Sequence, residues 1–212
     1  MARLARLLKG WTLSFGVCVA LVALTFWYVD VPLARRLSQG AYLLRPLGDA
    51  FAATVILLSE SAVVLTAVLL RLARGRLSPF GQMLVIASIT SMCAYGFNDH
   101  LLKPFFGVPA AAATLHGAAH AFNLGGGLQS GAFPSGHMAL AGGFAGVFMR
   151  LKKVSILPLS LLLLLGAGLL LAGGWHFLSD LIGGAYVGLS AGLLAGEAWA
   201  SHTDAHSDAV DG

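Results

Sequence analysis

Six mostly apolar stretches, at about 11–29, 47–71, 80–102, 135–150, 154–174 and 178–199, leave this chain few ways to fold. Each is close to the ~20 residues that carry an α-helix across ~30 Å of hydrocarbon. The expected fold class is all-α, an integral membrane helical bundle of about six transmembrane helices. Composition agrees, because 58% of the 212 residues are hydrophobic and only 10% are charged, against about 25% charged in a soluble domain. Cys18 and Cys93 both fall inside apolar runs, where a thiol behaves as a small hydrophobe, so no disulfide framework or thiolate metal site is indicated.

Residues 1–200 read as a single transmembrane domain, and 201–212 as a polar, disordered C-terminal tail. The first apolar run follows Arg3, Arg6 and Lys9, as in a signal peptide, but exits through Phe26-Trp27-Tyr28-Val29-Asp30 without a small-residue cleavage site. An uncleaved anchor is expected, with Trp27 and Tyr28 at the interface. Basic residues then set the orientation. With the N-terminus cytoplasmic, Arg3, Arg6, Lys9, Arg71, Arg74, Arg76, Arg150, Lys152 and Lys153 lie inside, and Arg35, Arg36, Arg45 and Lys103 lie outside, nine against four of the 13. That bias predicts both termini on the cytoplasmic side of a cytoplasmic or inner membrane. The net charge of +4 does not indicate nucleic acid, because the basic residues sit in short clusters between apolar runs and form no stripe with aromatics.

On this topology the 104–134 connection and the turn before His176 both emerge on the outer face. The first is long, rich in Ala and Gly, and carries His116, His120, Asn123 and Gln129; loops beyond ~12–15 residues tend to be functional. Phe105, Phe106 and Phe122 suggest that part of it lies in the interface.

The same outer end holds Phe133-Pro134-Ser135-Gly136-His137 and, downstream, His176 and Asp180. Ser135 can cap a helix starting at Gly136, and Gly136 lets an anion approach the backbone amides there. His137 is then positioned to donate a proton to a leaving oxygen. His176 and Asp180, four apart, are expected on one helix face, with the carboxylate orienting the imidazole as the base orients a nucleophile in a triad. Each feature singly also reads as an ordinary helix cap or interfacial aromatic pair; polar groups gathered in an apolar chain favour function.

Three segments together resemble the signature blocks of the type-2 phosphatidic acid phosphatase superfamily, the membrane lipid phosphate phosphatases. They are Leu102-Lys103-Pro104-Phe105-Phe106-Gly107, the Phe133–His137 turn, and Gly174-Trp175-His176-Phe177-Leu178-Ser179-Asp180. The six-helix layout extends the likeness over nearly the whole chain. The resemblance implies a metal-independent, cofactor-free lipid phosphate or diphosphate phosphatase acting through a phosphohistidine. It further implies His176 as nucleophile, Asp180 as its orienting partner, His137 as general acid, and Lys103, Ser135 and Gly136 as binders of phosphate oxygens. Its substrate partner is a lipid phosphate in the bilayer.

The chain departs from the family pattern at its arginines. Ala110 and Ala111 stand where the first block usually ends in Arg-Pro, Val108 where an Arg often follows, and Leu169 and Leu170 where the third block opens with Ser-Arg. Arginine offers phosphate a bidentate fork that leucine and alanine lack. Arg35, Arg36, Arg45, His116 and His120 are candidates to supply the positive charge instead. A phosphotransferase using the same intermediate, and a noncatalytic lipid-phosphate binder, stand as alternatives. Asn98, Asp99 and His100 are candidates to support the site, Glu60 is a mid-span carboxyl with a helix-pairing or functional role, and His116 with His120 lacks the third ligand that a metal site needs.

Overall fold

The computed structural model describes residues 2–38, 53–126, 131–152 and 155–210. They form nine helices: α1 (Ala2–Tyr28), α2 (Asp30–Leu37), α3 (Ala53–Arg74), α4 (Pro79–Phe97), α5 (Lys103–Phe106), α6 (Ala111–Leu115), α7 (Gly136–Leu151), α8 (Ile156–Ala172) and α9 (Leu178–Val210). A π-helical turn, Asn98–Leu102, joins α4 to α5. No strand occurs among the described residues, as expected where hydrocarbon forces each segment to satisfy its own backbone.

The six predicted spans correspond to α1, α3, α4, α7, α8 and α9. Among the described residues four stretches are long and apolar enough to cross a membrane: Lys9–Tyr28, Ile56–Arg74, Pro79–Leu115 and Leu178–Thr203. The other two helices are shorter, 16 residues for α7 and 17 for α8. α7 tolerates its shortness because it is the central helix, with nine residues buried between α4 and α9, so protein surrounds much of it. α9 continues as helix to Val210, through most of the segment read as a disordered tail. No glycine or proline occurs between 197 and 211 to stop it.

Helix ends follow local chemistry. Ser78 caps α4 by accepting the Gly81 amide, with Pro79 at the first helical position, where its missing N–H costs nothing. Gly107 ends α5 in the left-handed conformation at φ +58°, and a Cβ there would lie 2.5 Å from the Asn123 carbonyl.

The central contact, α7 against α9, is built from small residues. Gly184, Gly188, Gly192 and Gly196 recur every fourth residue of α9, which puts them on one face. A Cβ at Gly184 would sit 2.2 Å from the Ser135 carbonyl oxygen, and one at Gly188 would sit 2.3 Å from that of Ala139. Such contact suits a membrane bundle, where helix association depends on close packing because lipid is as apolar as leucine.

Some polar side chains within the bundle link one helix to another. Glu60 of α3 binds the Ser91 hydroxyl of α4 at 2.7 Å, and that hydroxyl also lies 2.7 Å from the Leu140 carbonyl of α7; the carboxyl thus pairs helices through Ser91. At the end of α7 that carries Arg150, this residue forms an ion pair with Glu197.

The opposite end carries the 104–134 connection, which has more structure than expected. Besides α5 and α6, Phe106 and Phe122 pack on a buried cluster of Phe26, Val108 and Phe133. Of the three phenylalanines expected in the interface only Phe105 is exposed; the other two are half-buried against the cluster, where their rings meet other aromatic rings. Gln129 and Arg45 lie outside the described residues.

Candidate active site

Two helix N-termini meet at this end, and each carries one of the two histidines. At α7 the turn is anchored on three sides. Asn98, fully buried at the π turn, donates to the Pro134 carbonyl at 2.9 Å, the Ser135 amide donates to the Asp180 carbonyl at 2.9 Å, and the Ser135 hydroxyl accepts the Met138 amide at 3.4 Å. The next two amides, of Gly136 and His137, have no hydrogen-bond partner among the described residues. They point out of a helix start, where the partial positive charge favours an anion.

Lys103 stands over this turn. A Cβ on Gly136 would come 2.9 Å from the Tyr95 ring and 3.5 Å from Lys103 Nζ, so glycine allows the ammonium and the turn to approach. Asp99 holds that ammonium at 2.6 Å from the preceding helical turn. A π-helical turn inserts one extra residue per hydrogen-bonded loop and often marks functional sites; here Asn98 reaches the turn backbone while Lys103, five residues on, reaches Gly136.

The second N-terminus belongs to α9. His176 is not on the helix with Asp180, as the four-residue spacing predicts, because α9 begins at Leu178 and His176 lies in the turn ahead of it. The two side chains still meet, by a different device. Asp180 Oδ2 reaches back to accept the Phe177 amide at 2.8 Å, the carboxylate half of a capping box, and the same oxygen lies 3.5 Å from His176 Nδ1. That is longer than an ordinary N–H···O bond, and such contacts in ligand-free sites commonly tighten on binding. Asp180 is wholly buried.

With Nδ1 facing Asp180, the other His176 nitrogen faces α7. His176 Nε2 lies 3.4 Å from His137 Nδ1, across 39 residues of sequence. The structure therefore gathers His137, His176, Asp180, Lys103, Ser135 and Gly136 at one end of the bundle, with Asn98 and Asp99 supporting them.

The candidate replacements for arginine are elsewhere. Arg35 and Arg36 are exposed on α2, and His116 turns back on the Ala112 carbonyl at 2.7 Å. His120 is stacked on Phe26 and tilted against Phe177, with Nε2 3.4 Å from Asp30. No arginine side chain ion-pairs or hydrogen-bonds with either turn among the described residues. The sequence positions where the family's arginines stand are apolar, and two of the three are core. Val108 is 0% exposed and Leu170 7% exposed, the latter packed on Met138 and Leu181, while Ala110 is half-buried. Those places hold hydrophobic contacts, so Lys103 is left as the cation at the turn. No group of three or more His, Cys, Asp or Glu side chains suited to a metal occurs among the described residues.

Sequence reasoning missed Tyr95, whose ring closes over Gly136, and Asp30, which binds Ser179 beside Asp180. The signal for Asp30 was present: a carboxylate closing an apolar span is costly and calls for a partner. For Tyr95 no local signal existed.

Two helix starts with opposed histidines, one with open amides and a lysine, the other with its imidazole backed by a buried carboxylate, can hold a phosphoryl group and attack it. A family model described as the PAP2 superfamily matches residues 82–201, which include every member of this cluster. No curated protein and no solved structure matches the chain.

Proposed function

This chain belongs to the PAP2 superfamily, and we propose that it is a multi-pass membrane phosphatase that removes phosphate from a lipid phosphate or diphosphate through a phosphohistidine. Family membership carries activity on phosphate esters; the lipid, the intermediate and the side of the membrane are this reading's own. The observation that carries it is the 3.4 Å approach of His137 Nδ1 to His176 Nε2 beside the open α7 amides.

In the proposed reaction, phosphate oxygens rest on the Gly136 and His137 amides, the Ser135 turn and Lys103. The His176 Nε2 lone pair forms the N–P bond while the P–O bond to the lipid breaks, and His137 gives its proton to the departing oxygen. Water then attacks phosphorus, the N–P bond breaks, and the proton lost by water returns to His137. Asp180 holds the His176 tautomer with Nδ1–H inward and stabilises the ring as it gains positive charge. Two rings in contact cannot hold a phosphoryl group between them, so substrate binding must part them.

A lipid is favoured by the surroundings. An apolar groove of about 510 Å³ runs between α1, α4 and α9, lined by Trp11, Ala94, Phe97, Tyr186 and Leu194 among others. Ala94 and Phe97 neighbour Tyr95 and Asn98 in sequence, which puts the groove within a helical turn of the site, suited to a hydrocarbon tail. An outward-facing site is supported by the excess of Lys and Arg in the segments assigned to the other face.

The test is to incubate detergent-purified protein with labelled phosphatidic acid, phosphatidylglycerol phosphate, prenyl diphosphate and lipid A phosphate. An acid-labile protein adduct and released phosphate, both lost in His176→Ala, are expected. Binding without adduct or release would overturn the enzyme reading in favour of a binder, which the apolar residues at the arginine positions favour. A requirement for a lipid hydroxyl acceptor would mark a phosphotransferase.

A further inference from the structure

The turn that carries His176 is held from a second side by a residue outside the segment matched to the family. Asp30, the first residue of α2, is 1% exposed. Its Oδ1 accepts the Ser179 amide at 3.1 Å, and its Oδ2 accepts the Ser179 hydroxyl, across 149 residues of sequence. A carboxylate buried this deeply is tolerated only where donors replace its water, and here the donors are the first turn of α9.

The neighbours of Ser179 make that bond consequential. The next residue, Asp180, presents its carbonyl to the Ser135 amide and its carboxylate to Phe177 and His176. Rotating or lifting this turn would therefore move the His176 partner and the phosphate turn together. His120 adds a clamp from the long connection: it sits 3.4 Å from Asp30, with ring centroids 4.0 Å from Phe26 and 4.4 Å from Phe177, the residue after the proposed nucleophile. A plain helix cap needs one neutral acceptor. This turn has two buried carboxylates, one from its own stretch of chain and one from the start of α2.

We propose that Asp30 is a positioning residue for the reaction, locking the first turn of α9 so that His176 keeps its alignment with Asp180 and the α7 amides. The inference rests on the reading of His176 as nucleophile. A displacement of about 1 Å at a reacting group can cost on the order of 10² in rate, so Asp30→Ala should lower kcat about 100-fold with KM within about twofold, in a protein whose melting midpoint falls, because two buried donors lose their acceptor, but which stays folded at the assay temperature. Asp30→Asn, which keeps one acceptor oxygen, and Ser179→Ala, which keeps the amide donor, should each fall in between.

The full-length protein in detergent is assayed for kcat, KM and melting midpoint, and amide exchange is followed over residues 176–180. Faster exchange there in Asp30→Ala, beside the kcat–KM split, is the expected result. A folded Asp30→Ala protein with wild-type kcat overturns the proposal, as does a kcat that falls only in proportion to the folded fraction. Should Asp30→Ala fail to fold, Asp30→Asn and Ser179→Ala decide by the same criteria, and wild-type kcat in both overturns it. A wild-type protein that turns over no lipid phosphate refutes the phosphatase reading instead, and unchanged exchange in Asp30→Ala then refutes the role of Asp30 separately.

Discussion

The N-termini of α7 and α9 are the same structural element used in opposite ways. At α7 the cap is a neutral hydroxyl, and the Gly136 and His137 amides are open among the described residues. At α9 two carboxylates, Asp180 and Asp30, already accept the Phe177 and Ser179 amides. A helix start attracts anions through its free N–H groups and dipole, so the open end is the one able to receive phosphate. The occupied end repels it and instead gives its histidine a basic partner. The difference teaches that a helix N-terminus becomes a binding site or a support according to whether an internal acceptor has taken its amides.

The contrast can be broken most severely at its reacting atom. His176→Ala should abolish phosphate release, by at least about 10⁴-fold, and should remove the covalent adduct while leaving the melting midpoint near wild type. Retention of adduct would move the nucleophile elsewhere.

Asp180→Asn tests the occupied end. Loss of the carboxylate behind an imidazole should cut kcat by about 10⁴-fold, the scale of a misoriented triad histidine, with lipid binding nearly unchanged in a flotation assay. Equal loss of binding and rate would deny Asp180 its orienting role.

Gly184→Ala probes the seam that joins the two ends. Its new Cβ would collide with the Ser135 carbonyl, 2.2 Å away, and backbone must yield. A loss of about 1–3 kcal/mol in stability is expected from overpacking of this kind, read as a lowered melting midpoint, together with reduced kcat as the α7 turn shifts. A neutral result would mean that the helices slide without moving the site.

The open end should respond more gently to Lys103→Met. Removing the ammonium beside Gly136 should raise KM about tenfold, equivalent to about 1.4 kcal/mol, with kcat less affected. The smallest effect is expected for Ser135→Ala, about 1 kcal/mol of stability from the lost cap, measured by thermal unfolding in detergent.

Much of this contrast was legible in the sequence. Ser135 capping α7 is local chemistry, three residues from Ser135 to Met138, and the Pro-Ser-Gly-His order announces it. The pairing of His176 with Asp180 was also legible, although by the wrong route: the spacing suggested one helix face, whereas the carboxylate reaches back from α9 to a residue in the preceding turn. The four-residue glycine spacing of α9 was present in the chain as well and identifies the face that packs on α7. The fate of the arginine positions was not legible, because burying Val108 against Phe26 and Phe133 depends on how α1 meets the long connection.

Apolar length, cap residues and basic-residue asymmetry are written within windows of about 20 residues, so the sequence alone determined a helical membrane bundle and the capped α7 start proposed to receive phosphate. Which groups face one another was decided by tertiary structure. His137 meets His176 over 39 residues, Asn98 meets Pro134 over 36, and Asp30 meets Ser179 over 149. The physical reason is that these meetings depend on helix crossings set by close packing of small side chains, and such packing is a property of two surfaces together, not of either helix's own periodicity.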